Sequence, residues 1–503
     1  MTRERVFTAD RVYIAPSEPP RSWLVEREGQ VVAVGDGDPP RADETLRFEG
    51  KTIFPGFVDA HVHLSWTGLA RGALDLSGAT SREELLALAR RLLEGEVVGL
   101  GFDETRWDDR RLPTLQELDA LAPSEPLVLP RIDTYMCVAN SAAMRAANID
   151  RQRGIERDPS GQLTGLLQTE AAADAHRTYL ESVSERAIVD ALRRATEQAV
   201  AHGITCVHEM SMPDKRGRRD AEILLNAVGD LAPDVVLYIA DQDIERVAAL
   251  GLAQIGGDLF LDGSIGARTA AIDQPYVDGD GRGVLTYPDD EIRTFIREAH
   301  GRGLQVALHV IGQRAIEQAL VGFGEVYGAL DEESTKDFRD RRHRLEHFEM
   351  ATAAQMREAA RLGIVASVQP AFDTLWGHPG QMYPQRVGTQ AAAAMNAFLE
   401  MDRSGVEIGG GSDTPMSPLD PMAGVWALEH PHDPSQRWAR KEALNVFTSR
   451  AARLAPGDVR KGRLSPGFDA DLLVLPADPL SVDDVRGLAP DQTFVRGHLV
   501  HSA

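Results

Sequence analysis

Cysteine is almost absent from the 503 residues: Cys137 and Cys206 are too few for a disulfide framework, and two buried thiols are the expectation. Lysine is nearly as scarce, confined to Lys51, Lys215, Lys336, Lys441 and Lys461, while arginine is abundant. Positive charge is short as a whole, 54 Lys and Arg against 77 Asp and Glu, for a formal net charge of −23. That balance argues against nucleic-acid phosphates and anionic membranes as partners. No apolar run approaches the length of a spanning helix, and the opening Met1-Thr2-Arg3-Glu4-Arg5 has no apolar signal core, so a cytoplasmic protein is expected. No repeat of solenoid period and no low-complexity segment interrupts the chain.

What is present is an alternation. Short strand patterns with turn punctuation fill the first fifty or so residues, such as Ser22–Glu26 and Gln30–Gly35, and return near the end in Ala470–Leu475 and Gln492–Val500. The two ends, 1–54 and 447–503, are therefore expected to build one small composite β-sandwich domain. Between them, 55–446 alternates strands and helices around a long excursion at about 68–185. The expected strands are the run ending in His63, then Ile204–Glu209, Val235–Asp241, Asp258–Asp262, Gln305–Val310, Arg344–Phe348, Ile364–Val368 and Val406–Gly409. Helices are expected between them, among them Gln313–Ala329, Ala353–Leu362 and Thr389–Ser404. Eight such units make an α/β protein with a TIM (β/α)8 barrel the leading architecture and place its site at the C-terminal strand ends. A doubly wound sheet is the alternative, but no Gly-x-Gly-x-x-Gly turn follows the first strand.

The most informative segment is Pro55-Gly56-Phe57-Val58-Asp59-Ala60-His61-Val62-His63. Residues i and i+2 of a strand share a face, so His61 and His63 can reach one point. Compatible side chains close later strands: His309 the fifth, His347 the sixth, and Asp413 in Gly409-Gly410-Gly411-Ser412-Asp413 after the eighth. Imidazoles with one carboxylate suit Zn²⁺, and also Fe²⁺, Mn²⁺ or Co²⁺. Such an ion lowers the pKa of a bound water towards ~7, and a neighbouring carboxylate, here Asp413, carries its proton to the leaving group. The glycine run before Asp413 is expected to let backbone pass close to the ion or its neighbours. Arg268 and Gln369 follow strands four and seven and are candidates for the mouth, a structural salt bridge being the alternative for Arg268, with Phe372 and Trp376 as an apolar wall and His208 near the site.

These motifs together resemble the amidohydrolase superfamily. Leu261-Asp262-Gly263-Ser264-Ile265-Gly266-Ala267-Arg268-Thr269-Ala270 is similar to its family 3 branch, which includes N-substituted formamide deformylase-like enzymes. So are Val138-Ala139-Asn140-Ser141 and the run Asp158–Gly165, and Lys461–Leu472 looks like the family's tail motif. The resemblance implies a site made of His61, His63, His309, His347 and Asp413, and possible homodimers. Two positions depart from it. Relatives often carry a carboxylated lysine on strand four, where this chain has Asp258, and Asp-Gly-His where it has Asp133-Thr134-Tyr135. Asp258 stands four residues before Asp262, roughly 13 Å lower on a regular strand at ~3.3 Å per residue, too deep for an aspartate to bridge two ions. One ion per chain is therefore expected, two remaining open, with His347 a fifth ligand or a proton carrier beside it. Glu209 is the other candidate for a second ion, and Tyr135 for a hydrogen bond to substrate.

The expected activity is hydrolysis of an amide-like C–N bond in a small non-peptide molecule by a metal-activated water, with Asp413 and His347 catalytic. Hydrolytic deamination of a heterocycle is the alternative, although no Glu stands three residues after His309. A non-catalytic scaffold is disfavoured because all five ligands are kept.

Overall fold

A computed structural model of the chain describes residues 3–94, 98–131, 136–149, 154–213, 219–457 and 459–503. They form two compact units: Met1–His63 with Thr196–Met212 and Asp230–Ala503, and Leu64–Ala195 with Pro213–Gly229. The fold is mixed α/β.

In the first unit, eight parallel strands fall in two sheets. Phe57–Val62, Ile204–Ser211 and Asp234–Ile239 make one, with Ile204–Ser211 in the middle. Gln254–Phe260, Gln305–Val310, Arg344–His347, Val365–Val368 and Ile408–Gly410 make the other, in chain order. Every residue of Phe57–Val62 is buried, as is usual for a parallel strand covered on both faces. The intervening helices are written into the sequence. Thr352 and Gln355 form a reciprocal capping box at the start of Ala353–Leu362, and Gly363 ends that helix at φ 73°.

Two elements depart from the sequence pattern. The fourth parallel strand runs Gln254–Phe260 rather than Asp258–Asp262. The helix expected over Thr389–Ser404 is broken into Thr389–Ala392 and Phe398–Arg403, with Asn396 left-handed at φ 53° between them. Alanine-rich periodicity in Ala391–Ala394 reads as continuous helix, and only the local backbone shows the break.

Both chain ends enter one seven-stranded sheet. Its order is His498–Ser502, Gln492–Val495, Leu472–Leu475, Glu44–Pro55, Glu4–Val12, Arg21–Arg27 and Gln30–Gly35. Glu44–Pro55 joins the ends, antiparallel to Leu472–Leu475 (Leu473 opposite Phe54) and parallel to Glu4–Val12. Phe7, Leu24, Ile53, Leu472, Val474 and Phe494 fill its core. The lysine of the tail motif is structural: Lys461 Nζ lies 2.8 Å from Asp471, 2.9 Å from Asp469 and against Asp234.

The second unit carries its own four-stranded sheet, ordered Ile155–Arg157, Leu163–Gln168, Met136–Ala139 and Val128–Pro130. Leu85, Phe102, Trp107, Leu118 and Leu129 are among its core residues. Asn140 holds it together. Its Oδ1 accepts from Leu127 N (3.0 Å) and Ala143 N (2.8 Å), and its Nδ2 donates to Ala122 O (2.7 Å) and Glu125 O (2.8 Å). Asp158 likewise closes the Asp158–Gly165 turn through Ser160 and Gln162. Among the described residues, no helix is long and apolar enough to cross a membrane.

Candidate metal centre

Strand geometry brings the first two histidines together. Parallel pairing sets Val58 beside Cys206 and Val62 beside Glu209, and the rings of His61 and His63 meet at 5.4 Å. The loop after the eighth strand locks onto them: Asp413 N donates to His61 O at 2.7 Å and His63 N to Thr414 O at 3.1 Å. Asp59 Oδ1 fastens the same junction, accepting from His61 N (3.1 Å) and Ser412 N (2.9 Å), and burial raises its carboxyl to about 6. Gly411 makes the approach possible. A Cβ there would stand 2.5 Å from His61 N, so the glycine run serves the close passage that its sequence suggests.

Asp258 corrects the reading of the sequence. Its Oδ2 lies 3.2 Å from His63 Nε2 and 3.5 Å from His61 Nε2, and its Oδ1 lies 3.3 Å from His309 Nδ1 and 3.4 Å from His347 Nε2. The depth argument fails because the strand is not regular. Gly256 and Gly257 sit inside it at φ 91° and 79°, and the register slips so that Gly256 pairs with Ala307 while Phe260 pairs with His309. Four residues thus advance against two, which lifts Asp258 to the level of the histidines. Two adjacent glycines look like a turn in sequence; here they are a bulge.

Two groups result whose donor atoms lie within 4.8 Å of one another: His61, His63, Asp258 and Asp413, and Asp258, His309 and His347. Asp258 belongs to both. The imidazoles are oriented from behind. His63 Nδ1 donates to Met210 O at 2.8 Å, His347 Nδ1 to Gln369 Oε1 at 2.7 Å, and His61 Nδ1 to Glu346 Oε2 at 2.9 Å. Each donation leaves Nε2 as the lone-pair nitrogen, turned towards Asp258. His347 and Asp413 both adopt left-handed backbone, φ 67° and 54°, a strain of the kind found where a side chain must be re-aimed.

The donor set fits a cation. His61 Nε2 and His347 Nε2, both turned towards Asp258, are buried without hydrogen-bond partners, a costly arrangement unless something occupies the space between them. The electrostatics agree. Burial would push the His63 imidazole down, yet hydrogen bonds to Asp258 and Asp413 hold it up at about 10, and His61 is held well above its ordinary value against the same burial by those two carboxylates. Asp258, despite burial, is drawn well below the usual carboxylate range by His61 and its other imidazole neighbours. The pocket concentrates negative charge that imidazolium, or a metal ion, must balance.

Other expected residues divide. Gln369 is at the site, fixing His347. Phe372 stacks on the His347 ring at 6.4 Å, and Trp376 packs tilted against Phe372 at 4.5 Å. Arg268 is taken up by Asp278 through two hydrogen bonds, 2.9 and 2.8 Å, and Arg386 joins the same carboxylate. Glu209 is buried but belongs to neither ligand group. His208 Nδ1 accepts from Arg344 Nη1 at 2.9 Å, and His208 is likewise outside both groups. Tyr135, with Asp133 and Thr134, lies outside the described residues. Asp262 is structural, accepting from Ala271, Ile311 and Gly312 backbone N–H groups. Sequence reasoning missed Asp59, Arg344 and Glu346. The signal was available in Arg344-Leu345-Glu346-His347, where charges alternate along an otherwise buried strand.

Comparison with known proteins agrees with this geometry. The model of the amidohydrolase family matches residues 48–501. The putative amidohydrolase YtcJ of Bacillus subtilis is 28% identical over 91% of this chain and 90% of its own. The N-substituted formamide deformylase of Arthrobacter pascens is also 28% identical, over 91% of this chain and 89% of its own. The crystal structure of an uncharacterized metal-dependent hydrolase from Pyrococcus furiosus superimposes with a TM-score of 0.79 at 26% identity, covering 95% of this chain and 100% of that one. With the family model spanning nearly its whole length, the chain belongs to the amidohydrolase family, in the family 3 branch.

Proposed function

We propose that the protein hydrolyses an amide-like C–N bond in a small non-peptide substrate. The observation that carries this reading is the convergence of His61, His63, Asp258, His309, His347 and Asp413, all buried, on or just after five of the eight parallel strands, with the Nε2 atoms of His61 and His347 open. When bound there, a divalent metal, Zn²⁺ foremost, supplies an acidified water and polarises the substrate carbonyl. Because Asp258 belongs to both ligand groups, the residues present would hold two ions rather than one, with His61, His63, Asp258 and Asp413 around one and Asp258, His309 and His347 around the other.

The chain's own residues supply the rest. Asp413 Oδ1, 3.0 Å from His63 Nε2, is placed to take the water's proton and return it to the departing nitrogen. His347 acts as a ligand, since Gln369 holds its Nδ1 proton and leaves Nε2 as the base. Phe372 and Trp376 form an apolar wall beside it. We read the two parallel sheets as arcs of one closed (β/α)8 barrel. Gln254 Nε2 donating to Leu237 O at 2.6 Å supports the join on one side, and the Val62–Thr414 bridge on the other. The seven-stranded sheet built from 1–54 and 447–503 is its composite β domain. A panel of N-substituted amides, assayed with metal-loaded enzyme and with Asp413→Asn, tests the activity. Turnover of an amide that is lost in the variant supports it, and turnover unaffected by the substitution would overturn it.

A further inference from the structure

Arg344 and Glu346 are fully buried charged side chains on one four-residue strand. Desolvating such a pair is costly before their attraction is counted, and apolar residues of similar volume commonly replace one without loss of stability. The retained charge therefore calls for a role beyond filling the interior.

The contacts show what it does. Arg344 Nε stands 2.6 Å from Glu346 Oε1, and Nη2 donates to Oε2 at 2.9 Å. The guanidinium is itself held, by Ala60 O, by His208 Nδ1 at 2.9 Å, and over the Tyr238 ring at 4.9 Å. Glu346 Oε2 then accepts from His61 Nδ1 at 2.9 Å. The other two oriented ligands donate to neutral oxygens, Met210 O for His63 and the Gln369 amide for His347. His61 donates to a carboxylate, so its Nε2 is the more basic lone pair and its tautomer the more firmly set. The strand's pleat puts Arg344 and Glu346 on one face, while the left-handed backbone at His347 swings the next side chain back to the same ligand set, its ring 4.9 Å from that of His61.

We infer that Arg344 and Glu346 are a positioning pair: Arg344 orients the Glu346 carboxylate, which fixes the His61 Nδ1 proton and strengthens His61 as a metal ligand. The inference rests on the metal centre proposed above. It makes the group around His61 and His63 the tighter of the two, and makes that tightness depend on a charge that touches neither metal nor substrate.

The test is a competition titration of metal-free protein with Zn²⁺ against a chelator. It is run on the wild type, on Glu346→Gln and on the double variant Arg344→Met/Glu346→Gln, which removes both charges so that no guanidinium is left buried alone. Zn²⁺ affinity is expected to fall by about 10–100-fold in both variants, with the double variant melting near the wild type. A folded double variant with wild-type affinity would overturn the inference. Proton NMR of the unsubstituted, metal-free protein gives an independent reading. A far-downfield imidazole proton that vanishes in His61→Gln is expected, and its absence overturns the inference even if both charge variants fail to fold. A wild type that binds no Zn²⁺ while keeping that proton counts against the metal centre, not against the pairing of Glu346 with His61.

Discussion

Two buried histidine clusters in the same unit are arranged in opposite ways. His343 accepts from Val306 N at Nδ1 (2.9 Å), and its Nε2 meets His300 Nδ1 at 3.1 Å. Phe323 and Phe338 close around it, with ring centroids 5.2 and 4.7 Å away. Both nitrogens of His343 are used, and burial, with nearby Arg341, pushes both imidazoles down towards the neutral form. At His61, His63 and His347 one nitrogen is likewise tied, but the other faces carboxylates, and those of His61 and His347 have no hydrogen-bond partner. Burial is common to both clusters. What separates the two clusters is the nitrogen left open on His61 and His347 and the sign of the charge those nitrogens face.

The comparison breaks most visibly at the carboxylate. On the proposed mechanism, Asp413→Asn keeps the shape but removes the proton acceptor, and steady-state kinetics on a cleaved amide should show kcat/KM reduced by ~10²–10⁴-fold with an unchanged melting temperature. The converse change belongs to a polar residue with no open atom. Asn140→Ala strands Leu127 N, Ala143 N, Ala122 O and Glu125 O. Denaturant titration should show a loss of about 2–3 kcal/mol, while metal content per folded chain stays at the wild-type value. The His300–His343 pair predicts a smaller, pH-dependent effect. Both folded pKa values lie below the unfolded value of about 6.5, so the stability the pair contributes is complete above that pH and is lost as pH falls below it. Melting curves between pH 7.5 and 5 should fall more steeply for the wild type than for His343→Leu.

Much of this was legible in the sequence because it depends on period and residue type. The strand Gln305–Val310 and the helix Ala353–Leu362 stand where the pattern puts them, and five of the six converging side chains are visible as His or Asp at strand ends. The sixth, Asp258, was misplaced for a physical reason. A glycine pair can end a strand or bulge within one, and only pairing with the neighbouring strand decides which. Arg344 and Glu346 were passed over because charged residues in strands usually face water, whereas here they face each other and His61. Arg268 follows the second of the two readings its position allows, a structural salt bridge, since Asp278 occupies its guanidinium.

The measurement that bears most directly on the account is the metal content of the purified protein, by elemental analysis against protein concentration, for the wild type and for Asp258→Ala. The shared carboxylate predicts ~2 equivalents of divalent metal in the wild type and a clear loss in the folded variant. A folded wild type that takes up no divalent metal, or an Asp258→Ala variant that holds as much as the wild type, would contradict it.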